Sequence, residues 1–257
     1  MPRQRGFTKS GVYRQSTENI NMERESAAFL ELRQIGFSYP RKKSAVLNGI
    51  NLNFDREGIT AIIGPNGCGK TTLTKIMTGI LRPTNGDVYL EGRHLQEYTL
   101  AQIGRRIGYV FQNPDQQLFC SSVQEEIGFG MACLGEDPSV IAERVDFYMD
   151  YFELSSYRKA FPLHLSYGEK QRLAIASVLA GEPDFLILDE PTVGLDSYRK
   201  KLLADYLNKV AELGRGMVMV SHDTAFVSQV AERTVVLGNG WIQQDSSSSE
   251  GDNSHET

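Results

Sequence analysis

Eight residues, Gly64-Pro65-Asn66-Gly67-Cys68-Gly69-Lys70-Thr71, follow directly on the apolar run 60–63, and Thr72 continues them. Their spacing matches G-x-x-x-x-G-K-[ST], and the strand-like run before them supplies the context in which that pattern binds a nucleotide. Glycines let the backbone curl until its N–H groups face a phosphate. The following helix adds its positive end, and Lys70 supplies a full charge against the outer phosphates. Thr71 is then placed to hold a magnesium ion. Cys68 contributes its backbone to the curl, its thiol being incidental. The feature demands a strand, a loop and a helix in an α/β layer, and by itself it says only that a nucleoside triphosphate binds.

A chain of 257 residues, 40% hydrophobic, can build one large α/β domain or a core with a subdomain. The net charge of −5 gives no reason to expect nucleic acid, which needs a clustered positive surface. Three cysteines, Cys68, Cys120 and Cys133, form neither an even framework nor a C-x-x-C pair, as expected in a reducing compartment without structural zinc. No stretch approaches the roughly 18 consecutive apolar residues of a membrane helix, so any membrane attachment is expected through a partner. Residues 1–26 read as a flexible polar arm. Residues 246–257 (SSSSEGDNSHET after Asp245) read as a disordered serine-rich tail, leaving 27–245 for the folded domain.

Near-alternating runs at 29–37, 50–54 and 87–90 predict an antiparallel β layer, the last of them entered by a turn at Pro83-Thr84-Asn85-Gly86. Continuous apolar runs at 61–63, 107–111, 185–188 and 217–220 predict strands covered on both faces, hence a parallel core sheet. Between them, about 113–164 is helical in character, with Asp137-Pro138 as cap and first turn and apolar residues at helical spacing after it. This inserted subdomain holds nine acidic residues against three basic ones, a balance of −6 that suits either a solvated face or docking of a basic partner segment.

The run 185–188 ends in Asp189-Glu190, two carboxylates at the carboxyl end of a buried strand, where open α/β sheets bind ligands. Asp189 suits a magnesium shell, and Glu190 can orient and polarise the water that attacks a γ-phosphate. Further back, Leu165-Ser166-Tyr167-Gly168-Glu169 opens the helical run 170–180 and makes a second anion site at a helix N-terminus. One compact domain has little use for two complete cradles around one nucleotide, so the second is expected to serve a neighbouring molecule.

Taken in order, these motifs resemble the ATP-binding cassette (ABC) ATPase family over about residues 29–244. LSYGEKQRLAIA is similar to the family's L-S-G-G-Q signature, with Tyr167 and Glu169 replacing glycine and glutamine. The resemblance implies a P-loop NTPase core with a parallel sheet, an antiparallel β layer and a helical insert. It also implies that Ser166 and Gly168 bind the γ-phosphate held by an opposite protomer, with Glu169 part of the same in-trans signature, and that Tyr39 stacks on adenine. Gln112 resembles the Q-loop glutamine that reaches magnesium and the attacking water, Asp196 the aspartate at the dimer interface, and His222 the switch histidine on the γ-phosphate. Two protomers would then close around ATP and Mg2+ and reopen after hydrolysis.

Residues 111–119, FQNPDQQLF, and 123–130, VQEEIGFG, are similar to stretches of energy-coupling-factor (ECF) transporter ATPases, with Gly128 where that group has alanine. That resemblance implies a cytoplasmic-face ATPase paired with a second ATPase protomer, an integral membrane T component and a substrate-binding S component, serving metal-ion or vitamin uptake. Many members carry a longer C-terminal dimerisation segment; the short-tailed ones are closer to this chain. The alternatives are another ABC importer or exporter, and a soluble cassette ATPase with no membrane partner. A kinase or GTPase would lack LSYGE and His222.

Overall fold

The computed structural model describes residues 28–40 and 44–246, so the expected N-terminal arm and all but the first residue of the expected tail lie outside the described residues. The strands β1 (Leu30–Phe37) and β2 (Leu47–Phe54) precede β3 (Ile59–Ile63) and the first helix, α1 (Lys70–Met77). Next come β4 (Asn85–Leu90), β5 (Arg93–His94), α2 (Leu100–Arg106) and β6 (Ile107–Val110). The helices α3 (Val123–Cys133), α4 (Pro138–Tyr151) and α5 (Tyr167–Ala180) fill the span before β7 (Phe185–Asp189). The chain then runs α6 (Ser197–Glu212), β8 (Gly216–Val220), α7 (Thr224–Val230), β9 (Arg233–Gly238) and β10 (Trp241–Asp245).

Two sheets result. One is antiparallel, in the order β2-β1-β4-β5; the other runs β10-β9-β3-β8-β7-β6, with β10 antiparallel at its edge and the rest parallel. The parallel strands are buried on both faces, as their continuous apolar runs predict. Ile62, Phe185, Ile187, Val218 and Val220 face the core shared with the antiparallel sheet. Their neighbours Ala61, Leu186, Leu188, Met217 and Met219 face a second core built with the helices. Phe29 stacks on Phe185 with ring centroids 5.0 Å apart, joining the two sheets.

The predicted β layer and core strands are present, with one correction. Asn85 and Gly86 do not form a turn; they begin β4, at an irregularity in its pairing with β1. Gly86 has φ 82, and a Cβ there would stand 2.3 Å from the carbonyl oxygens of Arg33 and Gln34. Glycine is used here for close strand approach, which a turn-type reading of Pro-Thr-Asn-Gly cannot distinguish. The insert is helical as predicted: Asp137 accepts from Ser139 N and Pro138 starts α4. Asn113, Ser122, Asp196 and Asp223 cap other helices in the same way.

Candidate active site

Parallel registry is what assembles the site. Ile62 pairs with Val220, and Val220 pairs with Asp189, so β3, β8 and β7 end side by side. The loops leaving those three ends carry Gly64–Gly69, Ser221-His222 and Glu190 respectively. A cleft of about 290 Å³ lies across them, lined among others by Tyr39, Asn66, Gly67, Gly69, Lys70, Thr71, Thr72, Gln112, Asp189 and Glu190.

Lys70 is buried at the first position of α1, and its Nζ donates to the carbonyl oxygens of Gly64 (2.8 Å) and Pro65 (3.0 Å). The loop is thus wrapped around the ammonium group, with Gly69 at φ 112 turning the backbone into the helix. Cys68 is buried, its N–H donating to Pro65 O at 3.3 Å. Tyr39 packs edge-on against Phe37 at 4.9 Å, and its hydroxyl lies 3.1 Å from Thr72 Oγ1. Tyr39 also lines the cleft, where a flat base could rest on its ring.

Asp189 is fully buried, and its Oδ1 has no hydrogen-bond partner. Its Oδ2 accepts from Tyr109 at 3.4 Å, and Thr71 also hydrogen-bonds to the carboxylate. Burial pushes the Asp189 carboxyl above the ordinary carboxylate range, against the opposing pull of Thr71. A buried carboxylate oxygen left unpaired beside a threonine hydroxyl suits a hard divalent cation with oxygen ligands. Gln112, which is exposed, lines the same cleft and carries an amide oxygen.

The raised value has a consequence for stability. The native carboxyl holds its proton to higher pH than the unfolded one, so stability falls as pH rises above the ordinary carboxylate range, and the cost persists at neutrality. Asp189→Asn is therefore expected to raise Tm at pH 7, with the gain vanishing in acid, and to lose turnover. Thermal scans at pH 4 and pH 7 beside an ATPase assay check both halves; a lower Tm at pH 7 would contradict the desolvation argument.

Glu190 sits at φ 52, in the left-handed region, with its N–H donating to Val220 O at 2.9 Å. Among the described residues Gln34, Glu91, Glu153, Glu182 and Asn239 share this conformation, so at Glu190 it shows how the side chain is aimed and does not by itself mark a functional position. Its carboxylate is buried and held by His222: Oε2 lies 2.8 Å from the ring Nδ1 and accepts from the His222 N–H at 3.3 Å. His222 is itself exposed. The arrangement offers a buried carboxylate, oriented by an imidazole, in the same cleft as the lysine.

Eight of the expected residues do not line this cleft: Gly64, Pro65 and Cys68 belong to the loop around Lys70, His222 touches Glu190, and Ser166, Gly168, Glu169 and Asp196 make their contacts elsewhere. Ser166 starts α5, and both its N–H and its Oγ donate to Glu169 Oε2, at 2.8 and 2.7 Å. Glu169 is further held by Tyr157, and these hydrogen bonds keep its carboxyl below the ordinary range. Gly168 lies against the carbonyl of Gly194. Asp196 caps α6, accepting from Arg199 N at 2.8 Å and pairing with the Arg199 guanidinium. Sequence reasoning missed Tyr109, whose hydroxyl links Thr74 (3.1 Å) to Asp189. A lone hydroxyl inside the apolar run 107–111 is the signal that could have found it.

A loop-wrapped lysine, a buried aspartate with one unpartnered oxygen and a histidine-held glutamate at adjoining strand ends are the arrangement of a nucleoside triphosphatase. The profile of the ABC transporter family matches residues 47–193. An energy-coupling-factor transporter ATP-binding protein, EcfA, of Methanothermobacter thermautotrophicus is 41% identical over 214 residues, covering 82% of this chain and 68% of its own. Among solved structures, CbiO1 of Clostridium perfringens, part of a CbiONQ transporter complex, superposes with a TM-score of 0.72 at 33% identity, over 86% of this chain and 88% of that one. A dimeric ATP-binding cassette in a post-hydrolysis state, bound to ADP and phosphate, reaches 0.77 at 26% identity, over 84% and 97%. The chain belongs to the ABC transporter family, as an ATP-hydrolysing subunit.

Proposed function

We propose that this ATPase energises an ECF-type importer of a metal ion or vitamin, with a T component and an S component in the membrane and a second cassette as its partner. Among the described residues no helix is long and apolar enough to cross a membrane, so attachment would run through the T component. The observation that carries the reading is a groove of about 710 Å³ between α3 and α4. Phe119 and Phe129 meet edge to face at 4.8 Å at its lip, both exposed, with Gly128, Ile141 and Val145 lining it and Glu125 and Asp146 on its rim. Arg158, also in the lining, already pairs with Asp146 at 2.6 Å, so an apolar floor with Glu125 at its edge suits an amphipathic helix that brings a basic side chain to Glu125. FQNPDQQLF runs into that lip from Gln112, so an occupant of the groove would act directly on the segment that reaches the nucleotide.

In this reading Lys70 and the loop amides would hold the outer phosphates, and Thr71, Gln112 and Asp189 would hold Mg2+. The ion, when bound, neutralises charge on the transferred phosphoryl group. Glu190 accepts the proton of the attacking water, His222 keeps its carboxylate aimed, and Tyr39 carries adenine. Ser166, Gly168 and Glu169 would serve the partner's nucleotide; their absence from the lining of their own cleft is consistent with that reading. Asp196 lies at the interface between the two.

The test is capture of a tagged Glu190→Gln chain from its native membranes with ATP, followed by mass spectrometry. A T-type membrane protein with a small S component is expected; other transmembrane domains would reject the subgroup, and only non-membrane partners would reject transport. Phe129→Asp is expected to cut recovery of the membrane partners at least tenfold while the purified chain still binds ATP. Undiminished recovery would remove the groove from the interface.

A further inference from the structure

Position 167 is where the chain departs most in bulk from L-S-G-G-Q, an aromatic ring standing in place of a glycine. That ring is not idle. Its hydroxyl donates to Gln112 O at 3.1 Å. Its face lies so close to Gly194 that a Cβ there would stand 2.5 Å from Cδ1. One residue on, Gly168 approaches the carbonyl of Gly194 closely enough that a Cβ would stand 2.7 Å from it. The same helix is tied to the Gln112 segment twice more, by Lys170 Nζ to Asp115 Oδ1 at 2.8 Å and by Gln117 Nε2 to Ala174 O at 2.9 Å. Gln117 Oε1 in turn accepts from Phe111 N at 3.1 Å, just where β6 ends.

We infer that Tyr167 is a positioning residue that latches the Gln112 segment and the turn bearing Gly194 to the start of α5 within one protomer. Glycine at 167 could make neither the hydroxyl bond nor the ring contact. With tyrosine there, a displacement of the α5 N-terminus carries the Gln112 backbone and the 193–195 turn with it. Contact with a partner's nucleotide at Ser166 is thereby transmitted to the protomer's own cleft, with Tyr167 as the link that reaches the Gln112 backbone itself. The inference rests on the roles given above to Gln112 and to the Ser166 helix end.

Tyr167→Phe removes only the hydroxyl bond and keeps the ring on Gly194. In the full chain, amide exchange followed by mass spectrometry is expected to speed up about 2- to 10-fold in peptides covering 111–119, the factor one neutral hydrogen bond is worth. Peptides covering 173–180 stay unchanged. Turnover falls by a similar factor while KM for ATP stays within about twofold. Tyr167→Gly, which also frees Gly194, shows the larger loss in both. Unchanged exchange at 111–119 in Tyr167→Phe, or equal acceleration along α5, overturns the latch. Wild-type turnover in Gln112→Ala would instead overturn the role of Gln112, independently of the exchange result.

Discussion

Glu190→Gln is expected to lower turnover by about 10²- to 10⁴-fold, the usual worth of a positioned general base, while ATP still binds. The amide has the carboxylate's shape, so it fits the same buried site and the same backbone at φ 52. It keeps an oxygen within reach of the His222 N–H and ring nitrogen. What it loses is the capacity to take a proton from water. If Ser166 and Gly168 grip a partner's γ-phosphate, ATP that cannot be cleaved keeps two protomers together, and the variant should elute as an ATP-dependent dimer on gel filtration. Wild-type hydrolysis in this variant would overturn the base assignment. Loss of binding as well as turnover would assign Glu190 a structural role, since His222 and Val220 are its own neighbours.

The opposite ends of this site were not equally legible in the sequence. The loop around Lys70 and the pair Asp189-Glu190 were readable because each follows a strand buried on both faces, and such strands leave unbroken apolar runs. Pairing order is another matter. That β8 lies between β3 and β7, which brings His222 to Glu190, is a relation between segments far apart in the chain, and no local pattern encodes it. Gly86 failed for the same reason: its φ and its neighbours Arg33 and Gln34 belong to β1, fifty residues upstream. Tyr167 was visible as a departure from a motif, but not its contacts with Gln112 and Gly194, which come from two different loops. Side-chain chemistry placed by local runs was legible; chemistry assembled by tertiary contact was not.

The second large effect concerns the loop that opens the site. Gly64 has φ 153, and a Cβ built on it would lie 2.0 Å from the carbonyl oxygen of Leu237 and 3.1 Å from Cys68 Sγ. The first obstacle is backbone of β9, the strand paired directly with β3, so it cannot swing aside as a side chain would. Gly64→Ala must therefore move the loop. Overpacking and backbone strain together are expected to cost about 2–5 kcal/mol, which for a domain of this size is a fall in Tm of roughly 5–15 °C. Binding suffers separately. The Gly64 carbonyl holds Lys70 Nζ at 2.8 Å, so a shifted loop misplaces both the ammonium group and the amides around it. ATP affinity should drop at least tenfold even at temperatures where the variant is fully folded. Gly67→Ala is the control within the same loop: nothing lies within 4 Å of the added methyl, and only its φ of 79 is unfavourable. That single left-handed residue should cost about 1–2 kcal/mol. Calorimetric melting with ATP titration of both variants separates the cases. Equal losses in the two would mean that backbone conformation alone is at stake, and that the approach to Leu237 has no part in shaping the nucleotide site.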